Sequence, residues 1–468
     1  MSSTRRTSKN IIIKNLAGTY NFTKLFINLL TAKKKLWHKN VCATNIFVPQ
    51  IASLNLIINM LDFNNTQKAF SSKSQYELYN AYLLFSMMKY QGVVTFFKGF
   101  VNVARKVHFP LAWAVKPTLY KQFVGGEQLE SCIKTMENLA RFNIKSVLDY
   151  SAEGGGTRAD IDNMFNETLK SIEFAKDHPQ IAYTVFKPSG LIDPEICEAL
   201  ARKMFNHTDQ VGPDGKPVEK PAYTPTPEEQ MEYDSFKEKF NALLDKAAEY
   251  GVRILVDAED FTCQPLYDQL AEEGMRRHNK KRAIVFQTLQ MYRKDRLDYL
   301  KWIHEDTKQY GYIAGVKFVR GAYMEEERRL AAERGYPSPI CDTKAETDSL
   351  YDAALAFTVE HIEDFEMFNG THNYRSNQYL AELIDKKGLN RNDERIYSSQ
   401  LFGMSDNISY NMAAEGYNVC KYIPYAPVNR VLPYLLRRAQ ENTSMAGQTN
   451  RELNLLKTEV KRRKAARK

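Results

Sequence analysis

From Ile144 to Tyr422 the chain alternates short β-branched or apolar runs with longer charged stretches of helical periodicity, the pattern of repeated βα units on a parallel sheet. The runs predicted as strands are 144–149, 181–186, 253–256, 283–286, 314–319, 366–370, 395–398 and 418–422. Eight such units predict an α/β fold, a distorted (βα)8 TIM-type barrel, whose chemistry collects where the strands end. In order, the predicted ends offer Asp149 and Tyr150, Lys187, Asp257 and Glu259, Gln287, Lys317 and Arg320, Thr371 and His372, Gln400, and Tyr422 with Tyr425. Any loop holds polar residues, so the weight lies in their convergence at one barrel mouth.

The flanks follow different patterns. Between Phe70 and Ala140, Tyr and Phe recur at helical intervals, which predicts an α-helical extension whose aromatics are core. Asp209 to Glu228 is rich in Pro, Gly, Lys and Asp and reads as a surface insertion in one barrel connection. Lys457 to Lys468 is basic, with Glu459 its single acid, and reads as a solvated end. The expected division is a basic segment over 1–40, a mainly helical extension over 41–140, the barrel over 141–450 with its insertion at 209–228, and a basic tail over 451–468.

Charge changes the picture once it is located. The net +9 is concentrated in Met1 to Leu61, which holds nine Lys or Arg and no Asp or Glu, so the remainder balances at 56 against 56. A general nucleic-acid surface is thereby disfavoured, since phosphate contact needs a basic patch on the folded body. The first forty residues, rich in Ser, Thr, Asn and Lys or Arg with interspersed apolar residues, read as a mitochondrial transit peptide. No stretch approaches the roughly 20 apolar residues that span a bilayer. The cysteines, at 42, 132, 197, 263, 341 and 420, form no Cys-x-x-Cys pair and indicate neither a disulfide framework nor a cysteine metal site.

The segment Tyr425-Ala426-Pro427-Val428, followed by Leu435 to Asn442, carries the sharpest chemistry. Pro433 fits a helix only near its start, so the helix is expected to begin around Asn429 or Arg430, with Arg437, Arg438 and Glu441 inside it. Two adjacent guanidinium forks match a planar carboxylate, and Glu441, four residues from Arg437, can orient one of them. Lys187, Lys317 and Arg320 add positive charge, which would repel a divalent metal and welcome an anionic cofactor. Asp257, Glu259 and His372 therefore make a poor metal site, and no metal is expected. Glu153-Gly154-Gly155-Gly156 lacks the Gly-x-Gly-x-x-Gly spacing of a dinucleotide turn. Gly321, between Arg320 and Tyr323, would let a flat ring system approach the backbone.

With Gly315 to Tyr323, Val256 to Glu259 and Gly370 to Asn373, this segment resembles the proline dehydrogenase family in its mitochondrial eukaryotic branch, over about Phe109 to Asn450. The resemblance implies a flavoenzyme with FAD at the strand ends, oxidising L-proline to 1-pyrroline-5-carboxylate by hydride transfer to flavin N5. It implies that Arg437, Arg438 and Lys187 grip the substrate carboxylate, that Asp257 organises the polar end of the pocket, and that Tyr425 covers the substrate ring with Tyr323 nearby. It implies cofactor contacts at Gln287, Lys317, Arg320, Gly321, Lys344, Thr347, Thr371, His372 and Glu441. Electrons would pass to a membrane quinone, with peripheral association at the matrix side of the mitochondrial inner membrane.

This sequence departs from the pattern twice. Lys317 stands where many bacterial relatives carry arginine, which keeps the charge and loses the fork. The interval from Tyr425 to Arg437 is also shorter than in the bacterial bifunctional enzymes. Two rival readings are a hydroxyproline dehydrogenase, which a bulky tyrosine over the ring opposes, and a catalytically silent barrel that binds without turnover.

Overall fold

Eight parallel strands close into a barrel in sequence order, β1 pairing with β2 on one side and β8 on the other. The computed structural model describes residues 61–90, 115–152, 156–205, 225–444 and 446–467, with isolated positions between 91 and 100. The transit segment and most of the expected insertion lie outside these residues. The strands are β1 (Ile144–Tyr150), β2 (Ile181–Phe186), β3 (Ile254–Val256), β4 (Val285–Gln290), β5 (Ala314–Val319), β6 (Phe365–Gly370), β7 (Ile396–Leu401) and β8 (Val419–Tyr425).

Ahead of the barrel come α1 (Thr66–Ala69), α2 (Gln75–Met88) and α3 (Leu129–Ala140). Between strands lie α4 (Arg158–Lys176), α5 (Pro194–Phe205), α6 (Pro227–Tyr250), α7 (Gln264–His278) and α8 (Arg296–Tyr310). They are followed by α9 (Met324–Arg334), α10 (Lys344–Glu360), α11 (Tyr374–Lys387) and α12 (Asp406–Ala414). The chain closes with α13 (Val428–Ser444) and α14 (Ala446–Ala465).

Strand parity decides what each residue can reach, because successive side chains point to opposite faces. Val147, Tyr183, Val185, Leu255, Phe286, Phe368, Tyr397, Cys420 and Tyr422 fill the interior, while Ile254, Val256, Val285, Leu289, Val316 and Ile423 face the helices. The floor of the barrel is closed by Arg253, whose guanidinium lies 5.4 Å from both the Tyr183 and Tyr397 ring centres and donates to Glu366 at 3.0 Å.

The predicted strands agree with the observed ones at β2 and β5 and stop short at β4, β7 and β8. In β4 the cause is polar burial. Gln287, Thr288 and Gln290 are buried within the strand, where a sequence reading takes an amide as a strand end.

The helical extension packs against the C-terminal helices and α12. Asn407 and Asn411 donate to the carbonyls of Phe63 and Asn65. The C-terminal end is not the solvated tail the charge suggested. It is the helix α14, in which Glu459 is fully buried, accepts from Thr66 Oγ1 at 2.9 Å, and holds Arg462 and Arg463. Arg463 also donates to the carbonyls of Phe70 and Lys73, so the two flanks of the chain are tied to each other.

Candidate active site

The mouth is built from strand ends of inward parity. Lys317, in β5, donates to Asp257 Oδ1 at 2.5 Å, and the Tyr422 hydroxyl donates to Asp257 Oδ2 at 3.0 Å. Lys317 Nζ also lies 5.1 Å from the Tyr422 ring centre. Burial opposes ionisation of Asp257, but Lys317 and Lys187 outweigh it and hold the carboxyl below its usual range. Burial, with Asp149 and Asp257 adding to it, pushes the Tyr422 phenol well above its ordinary value.

Lys187 follows β2 and donates to both Asp149 oxygens, at 3.2 and 3.3 Å. Two residues on, Ser189 gives its backbone N–H and its hydroxyl to Glu259, at 2.8 and 2.7 Å, which fixes the turn that carries Lys187. Burial raises the Glu259 carboxyl to about 7 in spite of those bonds.

The opposite rim comes from β5 to β7. Arg320 donates to Asp348 (2.9 Å), Thr371 Oγ1 (2.8 Å) and Ser376 Oγ (3.0 Å), and its guanidinium lies 4.3 Å from the Tyr351 ring centre. Its fork is fixed before any ligand arrives. His372 accepts from the Leu401 N–H at 3.4 Å through Nε2, which puts its ring proton on Nδ1, 2.9 Å from Ser405 Oγ. Burial first, then Lys421 and Arg438, lowers this imidazole to about 3, so it is neutral at physiological pH.

Arg437 and Arg438 stand partly buried within α13, as expected from the position of Pro433 near its start. Arg437 acts electrostatically on Tyr323, after β5, and Arg438 on His372, after β6, which places both arginines near the strand ends. The Arg438 guanidinium lies 5.2 Å from the Tyr434 ring centre. Burial and Glu259 raise the Tyr323 phenol above its ordinary value, against the pull of Arg437 and Lys187. Glu441 lies on the same helix, and its side chain is outside the described residues.

Two expected residues are displaced, each by parity. Tyr425 lies on the outer face of β8, fully buried, its ring 5.4 Å from Tyr150 and its hydroxyl 3.4 Å from the Glu167 carbonyl. It cannot cover a ligand in the mouth. Tyr422, three residues earlier, faces inward and is bonded to Asp257.

Gln287 likewise points outward, donating to Asp268 and to the Tyr299 hydroxyl at 2.7 Å each between α7 and α8. Gln290, again three residues away, ends β4 on the inner face and donates to the Glu259 carbonyl at 2.7 Å.

Other expected positions fall at the edge of the site. Lys344 is 74% exposed and pairs with Asp348, the carboxylate that also holds Arg320. Thr347 is buried one turn into α10. Gly321 has φ +112°, and a Cβ there would meet the Tyr292 ring at 2.4 Å. Its missing side chain therefore makes room for Tyr292 from within the protein, whatever approaches from the mouth.

The arrangement offers a cationic rim of Lys187, Arg437 and Arg438, an ionised Asp257 that neutralises Lys317, and the buried Tyr422 ring beside that pair. A carboxylate-bearing small molecule fits the first, and a polyanionic cofactor fits the opposite rim of Arg320, Thr371 and neutral His372.

Comparison with known proteins points the same way. The family model described as proline dehydrogenase matches residues 132–451. The carbapenem antibiotics biosynthesis protein CarD of Pectobacterium carotovorum subsp. carotovorum is 34% identical over 342 residues, covering 73% of this chain and 83% of that protein. Human mitochondrial proline dehydrogenase 1 is 39% identical over 241 residues, covering 51% of this chain and 40% of that protein. Among solved structures, proline utilization A of Bdellovibrio bacteriovorus superposes with a TM-score of 0.61 at 19% identity, over 81% of this chain and 38% of that one, a likeness of fold. The matched regions cover less than half of the human and Bdellovibrio proteins. The family match covers more than half of the sequence, and the chain belongs to the proline dehydrogenase family.

Proposed function

We propose that this protein is an FAD-dependent dehydrogenase that oxidises L-proline to 1-pyrroline-5-carboxylate and passes the electrons to a membrane quinone. The observation that carries the reading is the pair Arg437 and Arg438 on α13, facing a rim that already contains Lys187 and an Asp257 neutralised by Lys317. Lys317 is engaged by Asp257, and Arg437 and Arg438 add two guanidinium forks of the planar geometry that grips a substrate carboxylate. A charged clamp of this kind is worth about 1.5–3 kcal/mol per hydrogen bond.

The chemistry of the far rim supports a flavin nucleotide. Arg320, Thr371, Gln290 and neutral His372 are the groups we assign to hold it, with Lys344 and Thr347 at its periphery and Glu441 beside the arginines. FAD, when bound, supplies the acceptor for the hydride leaving the ring carbon next to nitrogen.

The residues of the chain do the rest. Arg437, Arg438 and Lys187 orient the carboxylate and so fix which carbon faces the acceptor. The Tyr422 ring, held by its bond to Asp257, closes over the substrate and excludes water. Its bulk opposes a ring hydroxyl, which favours proline over hydroxyproline. The surrounding cations favour the uncharged substrate amine, so no dedicated base is required. Several similar eukaryotic proteins are named as mitochondrial, which supports a mitochondrial location, and the quinone acceptor would put the protein at the matrix side of the inner membrane.

An anaerobic absorbance spectrum of FAD-loaded protein, before and after proline, tests the reading. Bleaching of the oxidised flavin band is expected with proline and is expected to be weak with hydroxyproline. Bound flavin that stays oxidised in proline would overturn it.

A further inference from the structure

The helix α2 is amphipathic in an unusual sense, because both of its faces are apolar. Leu78, Ala81, Phe85 and Met88 pack inward, in one cluster with Leu119, Phe123, Val431, Leu435 and Leu455. The outward face carries Tyr76 (68% exposed), Tyr79 (45%), Leu83 (60%), Met87 (48%) and, just past the helix, Tyr90 (64%). The intervals between them are three, four, four and three residues, so they form one continuous stripe. These five are half of the large hydrophobic side chains exposed among the described residues, which makes the stripe a concentration rather than scatter. The reading of the aromatics here as core holds for the inner face alone.

Charge identifies what the stripe meets. From Leu78 to Gly126 the sequence contains no Asp or Glu, while it carries Lys89, Lys98, Arg105, Lys106, Lys116 and Lys121, of which Lys116 pairs with Glu127 at 2.5 Å and Lys121 lies 3.9 Å from Glu77 at the two flanks of the stretch. The carboxylate of α2, Glu77, is engaged in the helix cap with Ser74. Lys121 Nζ lies 5.6 Å from the Tyr76 ring centre, at one end of the stripe, and exposed Lys89 stands at the other. Residues 91–114 prolong the apolar and basic character in sequence, with Val93, Val94, Phe96, Phe97, Phe100 and Trp113 among their apolar positions.

Tyrosine and methionine between lysines suit the boundary of a bilayer, where rings sit at headgroup depth and basic residues meet anionic lipid. A second copy of the chain would bring the same acid-free basic stretch against itself, which is electrostatically unfavourable. We propose that the outer face of α2, Tyr76, Tyr79, Leu83, Met87 and Tyr90, docks the protein on an anionic membrane surface. The inference deepens the functional reading, since the acceptor proposed there is a membrane quinone. The two nevertheless fail separately.

The test is flotation of the full chain with vesicles of phosphatidylcholine, alone or with phosphatidylserine, beside the double variant Leu83→Asp, Met87→Asp. Both side chains are exposed, so folding and turnover of proline with a soluble dye acceptor are expected to be unchanged. The variant is expected to lose vesicle binding by about tenfold or more, and wild-type binding is expected to need phosphatidylserine and to weaken with salt. A variant that floats like the wild type would overturn the proposal. So would a wild type that fails to float, or one whose mass doubles in vesicle-free buffer through a contact the variant abolishes. Absence of proline-dependent dye reduction in both proteins, with flotation lost only in the variant, would retire the functional reading and leave the docking surface standing.

Discussion

At the mouth, Lys317 meets Asp257 at 2.5 Å and Lys187 meets Asp149 at 3.2 Å. Behind the rim, Lys421 and Lys73 meet Asp406 at 2.9 and 3.1 Å, and Glu452 of α14 accepts the Ser405 N–H at 3.1 Å. Both clusters bury lysine against carboxylate, and they differ in what stands beside them. Behind the rim every charge is met by another group of the chain, and Lys421 spends a further bond on the Met404 carbonyl at 2.6 Å. At the mouth the partly buried guanidinium groups of Arg437 and Arg438 stand beside the lysine–aspartate pairs, on a helix that crosses the strand ends. A buried ion pair is thus weak evidence of a site, whereas several cationic side chains gathered at an opening are stronger evidence.

The largest effect should come from the rear cluster. Lys421→Met removes the nearer partner of Asp406 and should cost about 3 kcal/mol of stability, measured by urea unfolding. A loss well under that, with substrate binding impaired instead, would erase the distinction between the clusters.

Arg437→Met should do the reverse, leaving stability nearly intact and raising the KM for proline by about 100-fold. An unchanged KM would sink the clamp.

The third effect is pH dependence. Burial, reinforced by Asp406, raises the Glu452 carboxyl to about 7, so its contribution is complete below about 4.5 and disappears as pH rises through 7. Asp406 behaves oppositely. Burial opposes its ionisation, but Lys421 and Lys73 pull it down to about 2, so its contribution holds above the ordinary aspartate range and is lost as pH falls through 2. Wild type should therefore lose on the order of 2 kcal/mol relative to Glu452→Gln between pH 5 and 8. Parallel stability curves for the two proteins would count against it.

The smallest effect separates two tyrosines. Tyr425→Phe should leave proline kinetics unaltered and cost at most about 1 kcal/mol of stability, while Tyr422→Phe should alter kcat/KM through the lost Asp257 bond. Altered turnover in Tyr425→Phe would return that residue to the mouth.

The barrel was legible because each strand is a local apolar run and each helix a local periodic one. The cationic rim was legible too, since residues just after a strand fall at the mouth wherever the strand end is right. Gln287 and Tyr425 were misplaced for a physical reason. β4 continues through buried amides and β8 runs on past Tyr422, so the ends were set early or the wrong tyrosine was chosen. An error of three residues reverses parity and moves a side chain from the mouth to the helix layer. Counting faces outward from Phe286 and Cys420 would have found Gln290 and Tyr422. The rear cluster had no such signal: Lys73, Asp406, Lys421 and Glu452 come from four distant segments and meet only when the terminal helices dock.

The closed floor has a consequence for traffic. With Arg253 held between Tyr183 and Tyr397 and anchored to Glu366, the described residues fill the barrel and close its floor, so a ligand reaches the site from the strand-end side. What arrives at the mouth must leave by the same side, so a departing product and an arriving substrate compete for one approach.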